Sequence, residues 1–318
     1  MRRIHGYRDL DPDERGSSAA IGNFDGVHRG HQVLLHDALV AAKSLGAPLG
    51  AITFDPHPRR FFLPDTPPFL LTTRQEKARI LEDFGVALLY RLDFNRALAS
   101  MAPEDFVRDV LIEGLGIRHL VIGADFRFGK DRRGDAALLQ AMSATHGFGL
   151  TVHEMVGDEE GEFASTAIRA QLREGRCRDA AAKLGRWHAV TGTVQRGDQR
   201  GRTLGYPTAN LDFGEQLIPR YGVYASRVTV HDGPHRGIHD GVASIGERPT
   251  FGENRPNFEV HLFDFTGDLY GAEISASLVE WLRDEVNFTN LDALIAQMDQ
   301  DSIEARAALA SANLPAQA

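Results

Sequence analysis

Cysteine is almost missing from this chain. Cys177 is the only one in 318 residues, which rules out an internal disulfide and any cysteine-rich metal site. Long apolar runs are missing too, since nowhere do the roughly 18 consecutive apolar residues of a membrane helix occur. The opening stretch, MRRIHGYRDLDPDERGSS, has no apolar segment of the secretory kind. The expectation is a soluble, cytoplasmic protein with no membrane partner. Basic charge is scarce: 35 Lys and Arg stand against 44 Asp and Glu, a formal net charge of −9. A general nucleic-acid binder needs a basic footprint, so no nucleic-acid partner is expected. The dinucleotide fingerprint G-x-G-x-x-G is absent. So are long internal repeats, and the one biased tract is the Ala-rich tail.

What is present is ample for a large core. At 42% hydrophobic residues, a chain of this length predicts about two domains. The first is organised around AAIGNFDGVHRGH, residues 19–31. Ala19-Ala20-Ile21 reads as the end of a buried strand. The turn Gly22-Asn23-Phe24-Asp25-Gly26 follows, and the periodicity of Val33, Leu34, Ala38 and Leu39 starts a helix. A strand, a glycine-bearing turn and a helix start present backbone N–H groups to phosphate. His28 and His31, three apart at that start, share a face and can donate hydrogen bonds to charge developing on a phosphate oxygen. This H-x-G-H resembles the nucleotidylyltransferase superfamily, whose members attack the α-phosphate of a nucleotide and release pyrophosphate.

The helix should run to about Leu45 and stop at Gly46 and Pro48. Strands are expected at residues 49–54, 86–92, 120–122 and 150–154. Helices are expected at 73–84, from Pro103 onward and at 135–146. The alternation predicts a doubly wound parallel sheet. His57, between prolines in DPHP, reads as a turn histidine. Asp125 and Arg127 in GADFRFG suit a ribose or phosphate contact, and a surface salt bridge beside two phenylalanines explains them as well. After an acidic loop at 157–162, Ser165 or Thr166 caps a helix whose first turn carries Arg169. That is plain capping or a second anion-suited helix start.

The pattern changes at Gly185-Arg186-Trp187-His188. Beyond it, short apolar runs at 190–194, 223–230, 241–245, 258–265 and 272–282 predict a small antiparallel barrel or sandwich. An amphipathic terminal helix at about 291–309 should carry Leu291, Leu294, Ile295 and Met298 on one face. The expected domains are therefore 1–185 and 186–318. In the second, Gly197, Gly201, Arg202 and Gly205 make a glycine-rich phosphate flap. Thr208 and Asn210 follow on one strand face, two oxygen ligands of the kind Mg²⁺ takes beside phosphates and water.

This flap with GYPTAN, together with PRYGVY, IGERPTFG and EVHLFDFTGDLYG, resembles the riboflavin kinase family. With GNFDGVHRGH, TFDPHP, IGADFRFG and STAIR, nearly the whole chain resembles the bacterial bifunctional riboflavin kinase/FAD synthetase family. The resemblance implies a nucleotidylyltransferase domain that makes FAD from FMN and ATP, followed by a kinase barrel that makes FMN from riboflavin and ATP. It implies His28 and His31 at the α-phosphate, and Gly22, Asn23, Phe24, Asp25, Gly26, Asp125, Ser165, Thr166 and Arg169 on nucleotide and phosphates. In the barrel it implies Gly197, Gly201, Arg202, Gly205, Pro207, Thr208, Asn210 and Arg283 on ATP or flavin, and Thr208 and Asn210 on Mg²⁺. Glu259, which alone would be a solvated strand carboxylate, becomes the base for the riboflavin hydroxyl. Two positions depart from the pattern: Ala164 stands where a further Ser is expected, and Ser244 stands where relatives have Asn. Oligomeric state is left open. Competing readings are another H-x-G-H adenylyltransferase with an unrelated barrel, or a flavin-delivery module without turnover. A tRNA synthetase is disfavoured by the acidic balance.

Overall fold

Alternation of buried side chains builds the first half of the chain around one sheet. The computed structural model describes residues 1–154, 157–158, 161–162, 164–197, 205–250, 253–288 and 290–313. It divides into two compact units, Met1–Thr66 with Arg74–Phe163, and Pro67–Thr73 with Ala164–Ala318.

In the first unit six strands are all parallel: β1 (Arg2–His5), β2 (Ser18–Ile21), β3 (Leu49–Asp55), β4 (Leu88–Asp93), β5 (His119–Gly123) and β6 (Gly149–His153). They lie in the order β1-β4-β3-β2-β5-β6. Both faces of the central strands are covered, so β2 and most of β3 and β5 are buried and largely apolar. Ala19, Ile21, Ile52, Tyr90, Leu120 and Ile122 enter one core cluster. Their neighbours Ala20, Ala51, Leu89 and Val121 enter the cluster on the other face, with Leu35 and Ala38 of α1 (Arg29–Leu45). Gly46, at φ 59°, ends α1 as only glycine does cheaply. Short α2 (Pro58–Phe62) follows β3, α3 (Arg74–Asp83) precedes β4, and α4 (Ala136–His146) joins β5 to β6. The doubly wound parallel sheet is as expected.

The second unit begins with α5 (Ser165–Arg173) and α6 (Cys177–Leu184), then β7 (His188–Thr193), β8 (Ala209–Leu211), β9 (Gly222–Val230), β10 (Gly237–Thr250), β11 (Glu253–Leu262), β12 (Glu273–Arg283) and α7 (Leu291–Ser311). The strands pair antiparallel in the order β8-β11-β10-β9-β12-β7. The Gln195 N–H donates to Asn210 O at 2.9 Å, a bridge that joins the two ends of the sheet. The antiparallel barrel with a terminal helix is as expected. Residues 67–73 also belong here. The amides of Phe69 and Leu70 donate to Glu215 O at 3.0 Å each, and Leu217 N–H donates to Leu70 O at 2.8 Å. Leu71 then packs with Ile168, Leu172, Ala180, Leu184 and Leu217.

Several local expectations are corrected. Strand β1 has only Ile4 buried, too little pattern to show in the sequence. Residues Phe106–Gly114 form a π-helix. The acidic loop contains a two-residue ladder, Gly157–Asp158 with Gly161–Glu162. Ala164, not Ser165 or Thr166, is the N-cap of α5, with no side-chain cap. In α7, Leu291 is 53% exposed and the buried residues are Asp301, Ala305 and Leu309. Asp301 is buried because the Arg283 guanidinium grips it with two bonds, of 2.7 and 2.6 Å.

The packing gives two expectations. Helix α6 places Cys177 in the barrel core and Ala181 beside Trp187 and Val279. A fragment 164–318 should therefore melt at least ~5 °C above a fragment 186–318, given roughly 2–8 °C per kcal/mol for units of this size. Equal melting temperatures would show that α5 and α6 add nothing to the barrel. His188 is buried, and that burial, with the Arg186 charge, pushes its pKa down from 6.5 to about 3. The folded form keeps the ring neutral while the unfolded chain takes up a proton below pH 6.5. Its contribution is thus whole above pH 6.5 and is lost as the pH falls toward 3. His188→Phe should flatten the acid limb of urea-unfolding stability in that window by up to about 1.4 kcal/mol per pH unit. An unaltered limb would assign the acid sensitivity elsewhere.

Candidate active sites

In the first unit, the loops after β2, β3 and β5 leave the carboxyl ends of adjacent parallel strands. The chain departs from β2 to β3 on one side, and β5 lies on the other, so the crevice of an open α/β sheet falls here. The turn after β2 is tightly wound. Phe24 and Val27 have φ 48° and 40°, and Gly26 has φ 81°. A left-handed non-glycine residue costs about 1–2 kcal/mol. Burial of Phe24, Val27 and Asp25 fixes the turn, as do two donors to the Asn23 carbonyl. Thr53 Oγ1 reaches that oxygen at 3.1 Å and Lys77 Nζ at 2.8 Å. A hydrogen bond involving a charged group contributes about 1.5–3 kcal/mol, enough to outweigh the strain at Phe24.

The turn delivers the chain to α1 with His28 as its extended N-cap residue. The His28 and His31 rings stack with centroids 3.7 Å apart, and Phe24 lies 5.1 Å from His31. The two histidines, the turn amides and the helix start are thus together, as the sequence predicted. Lys77 was not anticipated. Burial lowers its pKa, while Asp25 and Asp55 act to keep the ammonium charged. Arg74, one turn earlier on α3, bonds Asp55 at 2.7 Å.

His57 accepts the Arg59 N–H on Nδ1 and so caps α2, in keeping with a turn histidine. Beside it, Phe61 and Phe62 pack edge-on against Phe94, which also meets Phe54. Phe62 is nonetheless 62% exposed, an aromatic surface that no helical or strand periodicity marks in the sequence. Asp125 sits exposed in the turn after β5, at the same sheet edge as the β2 turn. Arg127 turns back onto Ala124 O and Phe126 O. Ser165, Thr166 and Arg169 belong to the second unit. There Arg169 is buried, donates from Nε to Phe69 O at 2.8 Å and lies over the Phe69 ring.

The second unit assembles its own cluster on the outer barrel face. Phe258, Val260 and Leu262 of β11 point into the core, so Asn257, Glu259 and His261 point out. Across the sheet, Asn210 of β8 is the partner of Glu259 on one side, and Ser244 of β10 is its partner on the other. Thr208 Oγ1 donates to Glu259 Oε2 at 3.1 Å, and Asn257 Nδ2 donates to Oε1 at 2.9 Å. Gly197 comes so close that a Cβ there would lie 2.5 Å from Asn210 Nδ2. The next stretch opens into a groove of about 550 Å³ lined by Tyr206, Pro207, His261, Phe263 and Arg306. The Tyr206 hydroxyl bonds Asp299, and His261 Nδ1 contacts Pro207 O at 2.9 Å.

Thr208, Asn210, Glu259 and Gly197 therefore converge, while Gly205 and Pro207 line the groove beside them. Gly201 and Arg202 lie outside the described residues. Arg283 is engaged by Asp301, which also accepts from Gln297 at 2.9 Å. The oxygens of Thr208, Asn210 and Glu259 on one face are the hard donors a Mg²⁺-nucleotide takes. Among the described residues no group of three His, Cys, Asp or Glu is placed to hold a metal alone.

Comparison with known families agrees with this division. Residues 10–167 match the FAD synthetase family and residues 184–309 the riboflavin kinase family. The chain is 38% identical to the bifunctional riboflavin kinase/FMN adenylyltransferase of Escherichia coli K12, covering 96% of this chain and 97% of that one. The Pseudomonas fluorescens protein of that name is 39% identical over 96% and 97%, and the Bacillus subtilis one 35% over 95% of each. A crystal structure described as a macrolide-efflux protein from Streptococcus pneumoniae superimposes with a TM-score of 0.84 at 31% identity, covering 96% of this chain and 99% of that one. Among the described residues no helix is long and apolar enough to cross a membrane. An adenylyl-transfer fold followed by a kinase barrel is the class of protein these matches define. The chain belongs to the bifunctional riboflavin kinase/FMN adenylyltransferase family and is an enzyme with both activities.

Proposed function

We propose that each activity is carried by the cluster just described in its own unit, and that 186–318 is the smallest kinase segment. In the barrel, Glu259 accepts the proton of the riboflavin 5′-hydroxyl as that oxygen attacks the γ-phosphorus of ATP, and ADP leaves. Thr208 and Asn257 fix the two carboxylate oxygens, which supports this role. Thr208 and Asn210 would hold Mg²⁺, which when bound neutralises phosphate charge. Gly197, Gly201, Arg202 and Gly205 cover the phosphates, and Pro207 leads into the groove beside His261 that accommodates nucleotide. Arg283, through its pair with Asp301, shapes the flavin end from β12.

In the first unit, an FMN phosphate oxygen attacks the α-phosphorus of a second ATP and pyrophosphate leaves. The amides of residues 22–26 hold phosphate, His28 and His31 donate to charge developing at the α-phosphate, and Asp125 contacts the nucleotide. The exposed ring of Phe62, on its aromatic cluster, offers a stacking face to the flavin. The assignment of Ser165, Thr166 and Arg169 to phosphate rests on the A-S-T-A-I-R resemblance alone. Substrates are ATP, riboflavin and FMN. A single cysteine and a dependence on ATP support a cytoplasmic setting.

The stacked pair His28 and His31, set at a helix start behind a left-handed turn, carries the adenylylation reading. The direct test is incubation with riboflavin, ATP and Mg²⁺, followed by separation of the three flavins. His28→Ala should lower FAD formation by ~10²-fold or more while FMN still accumulates; parallel loss of both products would make His28 structural. Glu259→Gln should lower FMN formation by ~10²-fold and leave adenylylation of supplied FMN intact. Rescue of that variant by excess ATP or Mg²⁺ would reduce Glu259 to a nucleotide ligand.

A further inference from the structure

The Asn23 carbonyl receives two donors from beneath the phosphate turn, the Thr53 hydroxyl at 3.1 Å and the Lys77 ammonium at 2.8 Å. In a trans peptide, the C=O and the following N–H point in opposite directions. Pinning this oxygen toward Thr53 and Lys77 therefore turns the Phe24 N–H away from them, to the open side of the turn. Phe24 has a left-handed φ of 48°. Rotating the Asn23–Phe24 peptide by half a turn would bring the φ of Phe24 into the negative range favoured by L side chains. It would also put a carbonyl oxygen where the N–H had been, and so repel an anion. Local sterics thus favour the orientation that phosphate disfavours.

Lys77 is well placed to oppose that flip. It stands in the first turns of α3, whose Arg74 is bonded to Asp55. Burial lowers its pKa, and the carboxylates of Asp25 and Asp55 oppose that shift. We propose that Lys77 is a positioning residue for adenylyl transfer, holding the Asn23–Phe24 peptide so that the Phe24 N–H faces the nucleotide phosphate. The inference rests on residues 22–26 being the phosphate turn. Thr53 assists from β3, and because both donors restrain one peptide, their effects are not independent.

The test uses the full chain and the steady-state adenylylation of supplied FMN. Lys77→Met should raise the KM for ATP by ~10-fold or more, as when a hydrogen bond to a charged group is lost, with the KM for FMN within about twofold of the parent. Thr53→Val should shift the same parameter in the same direction. The double variant should be within about twofold of the poorer single one. Parental KM for ATP in both single variants, or effects that simply multiply, would overturn the proposal. If Lys77→Met fails to fold by its melting curve, Thr53→Val carries the test, and a parental KM for ATP in it would be decisive against the clamp. His28→Ala run in parallel separates the two readings. If His28→Ala leaves FAD formation intact, the phosphate turn itself is misread. If it abolishes FAD formation while the other variants behave as the parent, only the role of Lys77 falls.

Discussion

Because successive side chains leave a strand on opposite faces, every buried residue in these sheets dictates where its neighbours point. In the first unit both faces of the central strands are buried along most of their length, and the polar Thr53 and Asp55 come only at the carboxyl end of β3. Function is pushed to the loops at their carboxyl ends. On β11 of the barrel only one face is buried. Phe258, Val260 and Leu262 drive inward, and Glu259 must then stand outside beside Asn210 and Ser244. The same rule yields a loop-borne site in one unit and a strand-borne site in the other.

The two clusters are also built differently. The first is a backbone turn with two imidazoles, and its cost is conformational: residues 24 and 27 are left-handed without being glycine. That strain is held by burial of Phe24 and Val27 and by the donors on the Asn23 carbonyl. The second relies on side-chain oxygens held in register by strand pairing, which needs no strained backbone at Thr208, Asn210 or Glu259. Its tight point is steric, where Gly197 passes Asn210.

Much of this was legible in the sequence, for identifiable reasons. The continuous apolar runs at β2, β3 and β5, and Gly46 after α1, mark the parallel sheet. GNFDGVHRGH marks the phosphate turn because a turn and a helix start are local. Partnerships across many residues were not legible. Lys77 reaches Asn23 from α3, and nothing in R-Q-E-K announces it. Thr208 and Glu259 meet only through the pairing of β8 with β11. On α7 the expected face is half-buried at Leu294, Ile295 and Met298 but exposed at Leu291, and Arg283 makes Asp301 an interior residue, which a hydrophobic pattern cannot anticipate. Ser244, noted as a departure from the family pattern, proves to be the cross-strand partner of Glu259. A shorter hydroxyl there in place of a carboxamide leaves more room against the carboxylate.

The path of residues 67–73 has a consequence of another kind. This short stretch hydrogen-bonds to residues 215–217 and shares a cluster with α5 and α6, yet it is encoded between α2 and α3 of the other unit. The second unit is therefore discontinuous in the gene. A single crossover between residues 73 and 164 separates residues 67–73 from the partner they pack against, whereas one before residue 67 keeps the unit together. Recombination between distant relatives at a junction in that interval should thus preserve the second unit only when residues 67–73 match residues 215–217 and the α5–α6 cluster.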